Sequence, residues 1–168
     1  SSNNHIVLVM GKPNTGKSTS LRNLKNQESM IYLNTDLKAL PFKSKFLKTI
    51  DVADAMDVIG YIQQIEEVPT VTGAVLDTIT FLMSMYERHY VLNATNTQKA
   101  WGDYGNFYRD FIHAIKSGTK DYAILAHEDT ILNEQTMQME SKVPVKGSVG
   151  KTGVEADFTT ILSTKEIS

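Results

Sequence analysis

Gly11, Lys12, Pro13, Asn14, Thr15, Gly16, Lys17 and Ser18 spell a complete G-x-x-x-x-G-K-[ST] phosphate loop. Glycines let such a loop wrap closely around phosphate oxygens, while its backbone N–H groups and the N-terminus of the next helix face the anion. Lys17 reaches the outer phosphates, Ser18 offers its hydroxyl to Mg²⁺, and Thr19 extends the same nucleotide-contacting set. The pattern predicts a nucleoside triphosphate as ligand.

Three further side chains sit where strand ends would present them. Ala74-Val75-Leu76-Asp77 is a short apolar run ending in an acid. Such an acid holds Mg²⁺ through the loop hydroxyl or a water. The strand carrying it is expected beside the loop strand. Asp77 also precedes a helical segment, so a capping role is compatible with the metal role. Asp36 follows the run Met30–Asn34 and is either a water-orienting general base or a turn acid. His127 ends the run Tyr122–Ala126 and is either a polar group at the edge where ligands of open parallel sheets bind or a surface histidine in a loop. His5, His89 and His113 read as surface or packing residues.

The elements that must position these groups alternate. Ile6–Met10 is a buried strand feeding the loop, and a helix is expected from Lys17 to about Asn26. Met30–Asn34 is a second strand, residues 37–48 are irregular, and a short strand is expected near Thr49–Val52. Apolar residues at helical spacing predict helices through Ala55–Ile65 (with Asp54 as cap), Ile79–Tyr90 and Tyr104–Ile115. Gly73–Leu76 and Tyr122–Ala126 are further buried strands. Asn93–Asp103 reads as a polar loop, Met137–Val145 alternates as a strand, and Gly147, Gly150 and Gly153 punctuate a turn-rich stretch. Asp157–Ser163 reads as a closing strand. Short, non-alternating strands between helices imply an α/β fold, a mostly parallel sheet covered on both faces, with a C-terminal β-rich segment.

At 168 residues and 41% hydrophobic content the chain can bury one core, and residues 1–168 are read as one domain. Residues 161–167 read as a strand and its exit, an ending compatible with a longer natural chain. A net charge of −2 gives no global attraction to polyanions, so any nucleic-acid surface must be a local patch. The absence of cysteine excludes disulfides and thiolate metal sites and fits a reducing cytoplasm. No apolar run approaches a membrane span, and no signal-peptide pattern opens the chain.

The Walker A at 11–18, the acid at 36, "VLDTIT" at 75–80, "WGDYGNFY" at 101–108 and "AILAHED" at 123–129 together resemble the RecA-like ATPase core. The nearest resemblance is to phage RecA-like ATPases of the single-strand annealing type, over about residues 5–163. It implies a RecA-like P-loop fold and hydrolysis of ATP with Mg²⁺. It also implies single-stranded DNA as partner, recombination or replication of a phage in its host cytoplasm, and a homo-oligomeric ring or filament. By that resemblance Lys17, Asp36 and His127 are catalytic, His127 being the sensor that joins the nucleotide to a DNA loop, and Ser18 with Asp77 holds the metal. Many members carry Glu where this chain has Asp36. The DNA path would run along residues 93–103 and 128–153, offering Lys99, Trp101, Lys142 and Lys146. Trp101 would serve either as a stacking surface or as a core anchor. Lys146 and Lys151 flank Gly147 and Gly150 in a segment expected to be flexible enough to reach across an interface. These lysines meet either a neighbouring subunit's γ-phosphate, for which Lys151 is the candidate, or DNA phosphates within one subunit. A nucleotide kinase would need several clamping arginines, whereas Arg22, Arg88 and Arg109 are the only ones. A GTPase would need an Asn/Thr-Lys-x-Asp segment, and Thr119-Lys120 runs directly into Asp121. A nucleotide-dependent binding protein without significant hydrolysis is the remaining alternative.

Overall fold

The computed structural model describes residues 4–12, 24–37 and 45–164. Six strands form one parallel sheet: β1 (Ile6–Gly11), β2 (Met30–Asn34), β3 (Lys48–Asp51), β4 (Gly73–Asp77), β5 (Asp121–His127) and β8 (Thr160–Ser163), in the order β3-β2-β4-β5-β1-β8. Four of these are apolar runs without alternation, as strands buried on both faces require. Successive side chains still point to opposite faces. Leu8, Met10, Ile31, Leu33, Ala74, Leu76, Ile124 and Ala126 pack on one face, in a core that includes α1 (Val58–Glu67), α2 (Ile79–Tyr90) and α3 (Thr97–Lys116). Val9, Met30, Tyr32, Val75, Ala123 and Leu125 pack on the other, against Leu24, Val7 and Phe46.

Helices α1, α2 and α3 each have a local reason to start. The Asp54 carboxylate accepts from Met56 N at 2.9 Å and caps the 3-10 turn leading into α1. Thr78 accepts from Phe81 N at 3.0 Å and caps α2, while Asn96 accepts from Lys99 N at 3.0 Å and caps α3. These side chains satisfy N–H groups that have no partner within the helix. Helix α3 therefore begins at Thr97, and the expected polar loop over Asn93–Asp103 is corrected to a loop ending at its cap. The first turn of α3 is mostly solvent-facing, which hid the period; Ala100 and Tyr104 already lie on the buried stripe that continues through Phe107, Phe111 and Ile115.

Beyond β5 the chain forms an antiparallel hairpin, β6 (Asp129–Asn133) and β7 (Gln138–Lys142), with Leu132 opposite Met139. The glycine-punctuated stretch is partly helical, α4 (Gly147–Thr152), which corrects the turn-rich reading. Gly150 is required there: a Cβ would stand 2.3 Å from the Val145 carbonyl oxygen. The closing strand is β8, preceded by a 3-10 turn at Val154–Asp157. Residues 13–23, which hold Lys17, Ser18 and most of the expected helix to Asn26, and residues 38–44 lie outside the described residues. Lys25 and Asn26 form a turn, Asn26 at φ 65°. No helix among the described residues is long and apolar enough to cross a membrane.

Candidate active site

Strand register determines which groups share the carboxyl edge of the sheet. Asn34 lies opposite Asp51 on one side and Asp77 on the other, and Gly11 lies opposite His127. β5 stands between β4 and β1, with Asp77 opposite Leu125. This corrects the expectation that the Asp77 strand is adjacent to the loop strand. The crossover through α2 and α3 returns the chain into the gap, placing Asp77 two strand spacings, roughly 10 Å, from β1. His127, not Asp77, is therefore the direct neighbour of the loop's first residue.

Asp77 is 7% exposed, and Tyr32, 2% exposed, donates its phenol O–H to Asp77 Oδ2. Burial, then the charge and hydrogen bond of Asp77, then the charge of Asp36, push the Tyr32 phenol well above its ordinary value. It stays protonated and acts as a donor. The backbone around Asp77 is held by Thr35: its N–H donates to Asp77 O at 2.9 Å, and its hydroxyl accepts from Thr78 N at 2.8 Å. The same hydroxyl lies 2.9 Å from Asp77 O and 3.2 Å from Thr78 O as a donor. Asn34 Nδ2 donates to Asp51 Oδ1 at 3.2 Å, and its Oδ1 accepts from Asp36 N at 3.2 Å. Asp36 stands two residues beyond β2, half-buried, and its charge is felt at Tyr32.

Among the described residues no group of three or more His, Cys, Asp or Glu side chains is placed to hold a metal. One buried, hydrogen-bonded carboxylate at a strand end suits Mg²⁺, which takes its remaining ligands from phosphate, water and a hydroxyl rather than from a protein cage. The donor set fits that ion.

His127 N donates to Thr80 Oγ1 at 3.1 Å, and its ring meets Phe81 edge-on at 4.7 Å. Glu128 N donates to Gly11 O at 3.0 Å, and the Glu128 side chain is 5% exposed. The end of β5 is thus fastened both to α2 and to the start of the loop. Sequence reasoning passed over Tyr32, Asn34, Thr35 and Thr80. A signal existed for one of them: a tyrosine within the buried run Met-Ile-Tyr-Leu-Asn must find a partner for its hydroxyl.

The residues nominated for DNA fall into two places. Lys99 pairs with Asp103 at 2.9 Å on the exposed first turns of α3. Trp101 is half-buried, its ring 5.1 Å from that of Tyr104, and a Cβ on Gly147 would touch it at 3.5 Å. Lys146 Nζ reaches Glu87 at 2.9 Å, and its N–H donates to the Tyr104 hydroxyl at 3.3 Å. Trp101 and Lys146 therefore share Tyr104, whereas Lys142 ends the hairpin and Lys151 is exposed on α4. The hairpin also exposes Leu132, Met137 and Met139.

A parallel sheet with a phosphate loop leaving one strand and a buried acid ending another, at one edge, defines a P-loop nucleotide-binding protein. A family model described as the AAA domain matches residues 3–165. The chain belongs to that family, and is accordingly a P-loop ATPase that binds nucleotide. Comparison with curated proteins gives no match.

Proposed function

We propose that the protein is a RecA-like ATPase that acts on single-stranded DNA in phage recombination or replication, in the host cytoplasm, as a ring or filament of identical subunits. The observation that carries the reading is the shared edge of Gly11, His127 and Asp77, with a hairpin leaving the strand that ends in His127. Lys17 and the loop N–H groups bind the phosphates, and Ser18 with Asp77 holds Mg²⁺. Bound there, the ion neutralises phosphate charge. Asp36 orients the attacking water. His127, between the loop and the hairpin, relays nucleotide state to a DNA surface to which we assign Lys99, Trp101, Lys142 and Lys146.

ATP turnover with and without single-stranded DNA tests the proposal. Turnover raised by DNA, and lost in a folded Lys17→Ala variant that retains the far-UV spectrum, is expected. Wild-type turnover in that variant overturns the phosphate-loop assignment. Nucleotide binding without turnover favours the binding-protein reading, for which the aspartate at position 36, in place of a longer glutamate, is the specific observation.

A further inference from the structure

We propose that Tyr32 is a positioning residue for the magnesium carboxylate: by donating its hydroxyl to Oδ2 of Asp77 it fixes the orientation of that carboxylate. The inference rests on the metal role of Asp77 proposed above. A tyrosine could fill this core without touching an acid, since its position opposite Val75 requires only an apolar face. Instead the ring, packed 5.1 Å from Phe46, carries its hydroxyl two residues along the neighbouring strand to Asp77. Thr35, three positions on, holds the backbone of the same residue from the same strand. β2 thus grips Asp77 at both side chain and carbonyl.

The consequence is specific. A carboxylate whose orientation is already held by a hydrogen bond loses less freedom when the metal binds. Groups that orient metal ligands in this way typically contribute 10- to 100-fold to metal affinity. Loss of the hydroxyl should therefore act on the metal and spare the nucleotide's other contacts, which come from the loop.

The test compares wild type and Tyr32→Phe by titration with a fluorescent ADP analogue, first in EDTA and then against rising Mg²⁺. The variant is expected to bind nucleotide in EDTA like wild type, and to need about 10- to 100-fold more Mg²⁺ to reach the tight state. In an Asp77→Asn background the Tyr32→Phe change should add nothing. A wild-type Mg²⁺ midpoint in Tyr32→Phe overturns the proposal, and so does an equal loss of binding in EDTA, which marks a packing role. If wild-type binding ignores Mg²⁺, or Asp77→Asn leaves the midpoint unchanged, the metal reading of Asp77 fails first. Should Tyr32→Phe not fold, the wild-type protein still decides. Mg²⁺ added to the nucleotide complex should perturb tyrosine absorption near 290 nm, and Asp77→Asn should abolish that signal. No signal overturns the proposal.

Discussion

Asp77 ends β4 and Asp36 stands two residues past β2, and their surroundings differ in keeping with the separate roles proposed for them. Asp77 is buried, with its carbonyl tied to Thr35 and its carboxylate tied to Tyr32, so it is built to hold one position. Asp36 is half-buried, and among the described residues its hydrogen bond is from its backbone N–H to the Asn34 side chain, not through its carboxylate. Asp77→Asn is expected to weaken Mg-nucleotide binding. Asp36→Asn should keep binding and slow hydrolysis, typically by ~10²–10⁴-fold. Binding and single-turnover rates measured on both variants check this, and equal effects of both on both steps would mean that the roles are misassigned.

At the scale of elements, two contacts at the end of the sheet opposite the active site make the frame testable. Gly73 opens β4 against Asp121, and a Cβ there would stand 1.9 Å from the Asp121 carbonyl oxygen. That atom is backbone and cannot swing away, so Gly73→Ala should cost at least about 1–3 kcal/mol. The melting temperature should fall by roughly 2–12 °C; an unchanged melt would mean that β4 and β5 separate freely there. Glu66, near the end of α1, accepts from Thr119 N at 2.7 Å, Lys120 N at 3.3 Å and the Tyr122 hydroxyl at 2.6 Å. Partial burial works to raise its carboxyl, but these hydrogen bonds outweigh it and leave the group below its ordinary 4.5. A depressed value means that the stabilisation is present above about pH 4.5 and is lost as pH falls through the lowered value. Glu66→Gln should thus be less stable than wild type at neutral pH, with the gap closing as pH falls through the lowered value, and a gap independent of pH would show that charge is not involved. Most strands and the three long helices were legible in the sequence, because apolar runs and helical spacing report burial directly. The insertion of β5 between β4 and β1 was not, since strand order depends on where a crossover returns and leaves no local pattern. Nor was the start of α3, whose polar first turn resembles a loop, or the Tyr32–Asp77 bond, which joins strands 45 residues apart. The phosphate loop was legible at once, because its chemistry lies in consecutive residues.

For the whole molecule, the proposed function requires a chain of net charge −2 to engage a polyanion and a neighbouring subunit. Bulk attraction is absent, so both contacts must come from a few placed cations. Lys146 is engaged with Glu87 and Lys99 with Asp103, which lowers the charge either can offer DNA without exchanging partners. Lys151 stands exposed on α4. The flexible reach expected for this segment is not what the fold provides: Gly150 N donates to Lys146 O at 3.1 Å, Gly153 N to Val149 O at 2.8 Å, and Gly150 lies against Val145. A lysine presented on a braced turn suits a fixed target, and an active site completed across a subunit interface is such a target. Lys151→Ala is therefore expected to keep its affinity for single-stranded DNA and to lose DNA-stimulated ATP turnover. Mixed with Lys17→Ala protein, it should regain part of that turnover, because each subunit supplies what the other lacks. Lys142→Ala, at the end of the hairpin, should instead weaken DNA binding and flatten its dependence on log salt by about one unit of slope. DNA affinity titrated over a salt series, with turnover assayed on the single and mixed variants, separates the two. A Lys151→Ala protein that loses DNA affinity with a flattened salt slope would move that lysine to the DNA surface, and full DNA-stimulated turnover by a stable monomer would rule out a contribution in trans.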